Sequence, residues 1–181
     1  MRKISPQQFW SALVEVLHQY QGKVVAIWKS PTEYTRFIRT DIVPELSKRL
    51  ELQVYPTDYY TLDAIYYEEA DRVHFPSQST YAKWISIALE HENVLKGSCV
   101  EMNKLQLFNT PLKVLITYAR PGRESKEYLD KYTDIIRSAD IWGDIASQRR
   151  QLVVFGDMPE LAPKWYGHAY EQNGFVQIGE A

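Results

Sequence analysis

The stretch Tyr81-Ala82-Lys83-Trp84-Ile85-Ser86-Ile87-Ala88-Leu89-Glu90-His91-Glu92 decides the fold. Apolar and small residues run through it almost without charge, which is the composition of a strand. Strand side chains alternate, so Ser86, Ala88, Glu90 and Glu92 point one way and Ile85, Ile87, Leu89 and His91 the other. Two carboxylates thus share a face at the end of an apolar strand. At roughly 7 Å apart they repel and lose hydration, so a cation or a basic side chain is expected beside them.

Outward from that strand, Tyr59 to Tyr67 is also rich in Tyr, Thr, Leu and Ile and reads as a strand, with Asp63 inside it although aspartate is a poor strand former. Asp71, Pro76, Ser77 and Gln78 between the two predict a turn or an irregular hairpin connection. Leu95, Cys99, Met102 and Leu105 have helical spacing over 94–108, and Asn109-Thr110-Pro111 ends that helix. Leu112 to Tyr118 is an apolar strand of the buried kind. Arg120-Pro121-Gly122 is a turn, and Tyr128, Tyr132, Ile135 and Ile136 mark a helix that ends around Gly143. Leu152–Phe155 and Trp165–Tyr170 supply two further strands.

Upstream, Ser5 reads as a helix N-cap, Pro6 as the first helical residue and Gln8 as the closing member of a capping box. Phe9, Leu13, Val16, Leu17 and Tyr20 continue that helix as an apolar stripe. Lys23 to Trp28 is a short strand or a loop. A second helix from Thr32 carries Tyr34, Phe37, Ile38, Ile42, Leu46 and Leu50, and Pro44 kinks or divides it. The order is helix, helix, strand, strand, helix, strand, helix, strand, strand, which calls for an α/β mixed sheet flanked by helices.

The composition narrows the function. With 181 residues, 45% of them hydrophobic, the chain has material for one core, so a single domain is expected over 1–181. No apolar signal core opens it and no run approaches the roughly 20 apolar residues of a membrane span, so a soluble, unprocessed cytoplasmic protein with no membrane partner is expected. Cys99 is the single cysteine, which excludes an intrachain disulfide, a zinc finger and an iron–sulfur cluster. A net charge of −2 argues against coating nucleic acid through bulk electrostatics. The eight scattered glycines form neither phosphate-binding loop.

An aspartate in one strand, Glu90-His91-Glu92 at the end of the next, a helix bearing Glu101 and Lys104, then Leu112-Lys113-Val114-Leu115-Ile116-Thr117-Tyr118: together these resemble the PD-(D/E)XK nuclease superfamily, also called restriction-endonuclease-like. The resemblance implies a restriction-endonuclease-like mixed central sheet flanked by helices, with its core at about 32–156. It implies that Asp63 and Glu90 hold Mg²⁺ or Mn²⁺ together with the His91 backbone carbonyl, an oxygen set that Mg²⁺ prefers. Glu92 stands where the family's lysine usually stands and is the catalytic candidate to orient or deprotonate the attacking water, and no proline precedes Asp63. Lys104 on the following helix is the candidate replacement, and Glu45 is an accessory candidate. The activity implied is phosphodiester hydrolysis in nucleic acid, DNA rather than RNA, with a homodimer left open. The alternative is a catalytically inactive protein of the same fold that binds nucleic acid or protein.

Plainer readings stand beside these. An acidic pair at a strand end also occurs as a solvated edge, and Lys104 also pairs with Glu101 one turn away. His91 and His168 lack zinc-ligand spacing. Tyr66, Tyr67, Trp84 and Trp165 fit core packing better than base stacking. Lys48-Arg49 and Arg149-Arg150 fit solvated surface better than phosphate contacts.

Overall fold

The computed structural model describes residues 3–55, 59–74, 80–159 and 162–181. Helix α1, Pro6–Gln19, starts as its sequence dictates: the Ser5 hydroxyl accepts from Gln8 N–H at 3.1 Å and the Gln8 side chain accepts from Ser5 N–H at 2.8 Å. Each bond satisfies a backbone donor that helix geometry leaves unpaired. Phe9, Trp10, Leu13, Val16 and Leu17 form its buried face.

Lys23–Trp28 is neither strand nor loop, because Gln21–Ile27 forms a short helix, α2. Only Val24 of this helix is fully buried, so the period-2 pattern a strand needs is missing. The second helical region is distorted at Pro44 rather than divided. Helix α3, Pro31–Phe37, passes without a break through a π-helical turn, Ile38–Ile42, into α4, Val43–Leu50, the π turn accommodating the N–H that Pro44 lacks.

The strands are β1 Gln53–Tyr55, β2 Ala64–Tyr67, β3 Arg72–His74, β4 Thr80–Ala82, β5 Ile87–His91, β6 Leu112–Tyr118, β7 Arg150–Asp157, β8 Lys164–Glu171 and β9 Gly174–Glu180. Seven of them form one sheet in the order β1-β2-β5-β6-β7-β8-β9, and β3 pairs with β4 in a separate ribbon. β5, β6 and β7 are parallel, and the other neighbours are antiparallel. Helix α5, Ser98–Gln106, crosses from β5 to β6, and α6, Arg123–Ala139, with α7, Ile145–Gln148, crosses from β6 to β7. This is the mixed sheet flanked by helices that the composition called for.

Two clusters cover the faces of the sheet. Ala64, Tyr66, Ile87, Leu89, Val114 and Leu152 pack with the α1–α4 residues, while Ile65, Ala88, Leu115 and Val153 pack with Met102, Tyr132 and Ile136 of α5 and α6. Because both faces are covered, the central strands lack polar alternation.

The long expected strands are shorter here. In place of Tyr59–Tyr67, the residues Tyr59 to Leu62 close a tight turn through two 3.1 Å backbone bonds, and β2 begins after Asp63. Tyr81–Glu92 is interrupted at Lys83–Ser86, so β4 and β5 belong to different sheets. Of the expected connection, Asp71 ends a 3-10 turn, whereas Pro76, Ser77 and Gln78 lie outside the described residues. β1 and β9 escape sequence reading because they are edge strands, β1 with three residues and β9 glycine-bounded and half exposed.

Candidate functional site

β2 and β5 are paired with Ala64 opposite Leu89 and Ile65 opposite Ala88. One step further, that register sets Asp63 across from Glu90, both on the α5 face by alternation with Ile65 and Ala88. Asp63 sits immediately before the strand rather than within it, and its Oδ2 accepts the His91 N–H at 2.8 Å. The carboxylate thus replaces a backbone partner at the end of the ladder, and this explains an aspartate in so apolar a stretch. In an antiparallel pair, the N–H and C=O of one residue face the same neighbour, so the His91 carbonyl also projects to the Asp63 side.

Glu90 is only 1% exposed. Lys104 reaches it from α5, its Nζ lying 2.8 Å from Glu90 Oε1. The same ammonium is ion-paired to Glu101 one turn earlier and donates to the Thr61 carbonyl at 2.9 Å. Lys104 therefore joins Glu101, Glu90 and the turn before Asp63. That turn is strained: Tyr60 and Thr61 both have positive φ, 49° and 75°, and for a β-branched threonine this conformation is costly.

Two carboxylates, Glu90 and Glu101, share one ammonium, with the Asp63 charge close enough to act on Glu90. The Glu90 carboxyl is pushed up to about 9, chiefly by burial and further by the Asp63 and Glu101 charges, against the pull of Lys104. Burial alone would depress the Lys104 ammonium, but its bonds to Glu101 and Glu90 outweigh that and raise it. Burial thus opposes the Glu90–Lys104 ion pair and holds the Glu90 carboxyl well above the usual carboxylate range.

Glu92 follows the last residue of β5, and its side chain is engaged elsewhere. Its Oε1 accepts from Val94 N–H at 2.7 Å, and its other oxygen lies against Gly97, where an added Cβ would come within 2.8 Å. It thus braces the turn that leads into α5 and is not gathered with Asp63 and Glu90. Glu45 is on α4, which packs on the other face of the sheet, and it pairs with Lys48 at 2.9 Å. Among the described residues no three His, Cys, Asp or Glu side chains are gathered to hold a metal ion by themselves. Asp63 Oδ2 is taken by the His91 N–H and Glu90 Oε1 by Lys104, so the oxygens expected to hold an ion are engaged by the protein's own donors.

The remaining candidates separate cleanly. His91 stacks near Tyr34 and contacts the Tyr118 hydroxyl at 2.7 Å on the α3 face, whereas His168 packs on Phe155 on the other face. Tyr66, Tyr67 and Trp165 are buried in the core. Lys48 pairs with Glu45, Arg49 with Glu15, and Arg149 with Asp144.

Sequence reasoning missed Lys113, which is fully buried in β6 on the α5 face. Its closest polar contact is Gln106 Oε1 at 3.4 Å, and Gln106 also bonds Gln151. The signal was a lysine inside an apolar run. Burial, aided by the Arg149 charge, pushes its ammonium down to about 7. Folding therefore favours the neutral amine, and the stability this contributes is full above the ordinary lysine pKa of about 10.4 and is lost as pH falls toward 7. Lys113→Met is expected to raise the melting temperature by several degrees at about pH 6 and by little at about pH 10, as read by thermal melts. An unchanged melt at both would show that Lys113 is already well solvated or well paired.

No protein-family model matches the chain, and no curated protein matches it. Among the described residues, no helix is long and apolar enough to cross a membrane.

Proposed function

We propose that this chain is a divalent-metal-dependent nuclease of the restriction-endonuclease-like type that hydrolyses phosphodiester bonds, with DNA as the favoured substrate. The observation that carries the reading is the meeting of Asp63, Glu90 and Lys104 at one end of β5, where carboxylate outnumbers ammonium and burial leaves Glu90 short of a cation. The element order around it supports the same reading. Helix α4, three successive antiparallel sheet strands β1, β2 and β5, helix α5 and the parallel strand β6 put the acids on neighbouring strands and the lysine on the intervening helix.

In this reading Asp63, Glu90 and the His91 carbonyl would hold Mg²⁺ or Mn²⁺, which would supply an acidified water and offset charge on a phosphodiester oxygen. Lys104, anchored by Glu90, Glu101 and the Thr61 carbonyl, would place its ammonium beside the charge that grows on the scissile phosphate. Asp63 fixes the end of β5 through the His91 N–H, and Glu92 orients the turn carrying the lysine helix.

The test is incubation with supercoiled plasmid and with single-stranded DNA, in Mg²⁺ or Mn²⁺ against chelator. Metal-dependent cleavage that Lys104→Ala lowers by about 10²-fold or more supports the assignment. Cleavage indifferent to metal or to Lys104 overturns it. A second reading, a non-cutting binder of the same fold, draws on Glu92 standing where the family has lysine. It predicts metal-dependent DNA binding with no cleavage at all.

A further inference from the structure

On the α3 side of the same end of β5 lies a cavity of about 160 Å³ lined by Trp28, Pro31, Tyr34, Asn93 and Tyr118. Its three aromatic rings are mutually edge to face, with centroids 5.4–5.6 Å apart and planes 77–90° apart. Trp28, Asn93 and Tyr118 are partly exposed, so the cavity is reachable from solvent. Tyr34 is 2% exposed, and its hydroxyl, although beside that of Tyr118, has no hydrogen-bond partner of sound geometry. A buried hydroxyl left unpaired costs free energy that a ligand's polar edge would recover.

Pro31 and Asn93 also border a larger groove, of about 880 Å³, lined further by Thr32, Thr35, Arg36 and Arg39. The groove runs along the π-helical turn, an irregularity often found at functional sites. Asn93 directly follows Glu92, so a single residue step joins this groove to the turn beside the acidic site.

We propose that the Trp28–Tyr34–Tyr118 cavity receives one unpaired nucleobase of the nucleic-acid strand, while Arg36 with the groove threonines carries the adjoining phosphates. The proposal rests on the nuclease reading for its substrate class and adds to it that the strand is single-stranded or has an extruded base. An aromatic face stacks on any base, and polar groups beside it read the base's edge. The amide of Asn93, held by Thr35 and Pro31, and the Tyr34 hydroxyl are such groups. A box of perpendicular rings also suits a quaternary ammonium. Here no carboxylate lines the cavity or the groove, and Arg36 lines the groove, so a phosphate-bearing ligand is favoured over a cationic one.

The experiment measures, by fluorescence anisotropy in chelator, the affinity of a labelled thymidine dodecamer and of the same backbone made wholly abasic. The intact strand should bind at least about fivefold more tightly, since stacking one base is worth about 1–3 kcal/mol. Trp28→Leu and Asn93→Ala should reduce that preference, and Tyr34→Phe, which leaves the ring packing in place, should reduce it severalfold. Arg36→Ala should weaken both strands alike. Equal affinity for intact and abasic strands overturns the base pocket while plasmid cleavage still stands for the nuclease. Selective binding of a trimethyllysine peptide, with no base preference, overturns it in favour of an ammonium cage. A base preference that survives Trp28→Leu and Tyr34→Phe in proteins with wild-type melts overturns the location.

Discussion

Glu90→Gln is expected to lower metal-dependent cleavage by about 10²–10³-fold or more and, in the same molecule, to raise the melting temperature at alkaline pH. The two effects share one cause. Glu90 is 1% exposed and burial holds its carboxyl up to about 9, so the folded protein prefers it protonated. The stability it contributes is full below the ordinary glutamate pKa of about 4.3 and is lost as pH rises toward 9. Glutamine imitates the protonated acid at every pH, so the gap in melting temperature between variant and wild type should open from about pH 5 and be widest near pH 9. The neutral amide cannot compensate a divalent ion, so the variant loses the metal.

The same linkage predicts that metal affinity in the wild type falls as pH drops below about 9, by up to tenfold per unit, because each ion must displace the Glu90 proton. Asp63→Asn keeps an oxygen for the His91 N–H and should lose cleavage by a comparable factor. A Glu90→Gln variant that cuts normally, or that melts below wild type at every pH, would falsify the assignment of this carboxylate.

The second large effect lies far from the acids. Trp10 of α1 lies flat on backbone from β8 and β9, against two glycines. A Cβ at Gly179 would stand 2.1 Å from Trp10 Nε1, and one at Gly167 would stand 2.7 Å from Trp10 Cε3. The displaced atoms belong to a rigid indole that is itself 5% exposed, with no free space to swing into. Gly179→Ala is therefore expected to cost about 1–3 kcal/mol of stability and to lower the melting temperature by about 2–10 °C. Trp10→Leu in the Gly179→Ala background should cost less than the two single changes added, because the smaller side chain makes room for the methyl. A Gly179→Ala protein that melts with the wild type would show that α1 is not seated on this edge.

Strain and charge at the acidic site fit one pattern. Thr61 at a φ of 75° survives because Lys104 grips its carbonyl and the Tyr59–Leu62 bonds close the turn around it. The lysine is thus held by its surroundings before any ligand arrives, the condition for electrostatic preorganisation.

Periodicity and capping determined a good part of this molecule locally. The Ser5–Gln8 capping box, the distortion at Pro44, the strand Leu112–Tyr118 and the mixed α/β character follow from neighbours a few residues apart, where helix and strand sterics act. The same local reasoning singled out Asp63, Glu90 and Glu92, since a charge in an apolar run is costly without a partner, while Lys104 came from the family resemblance. Only the tertiary structure decided which partner each one has. Glu92 shares a strand face with Glu90 by alternation, yet β5 ends at His91 and the backbone N–H of Val94 draws the carboxylate away. Lys113 looked like one more residue of an apolar strand, and its burial depends on α5 closing over it. Trp28, Tyr34 and Tyr118 lie on three elements and form a box only once α2 and α3 dock on the sheet end. Contacts between residues distant in sequence are set by how packed layers meet, and no short-range pattern encodes that.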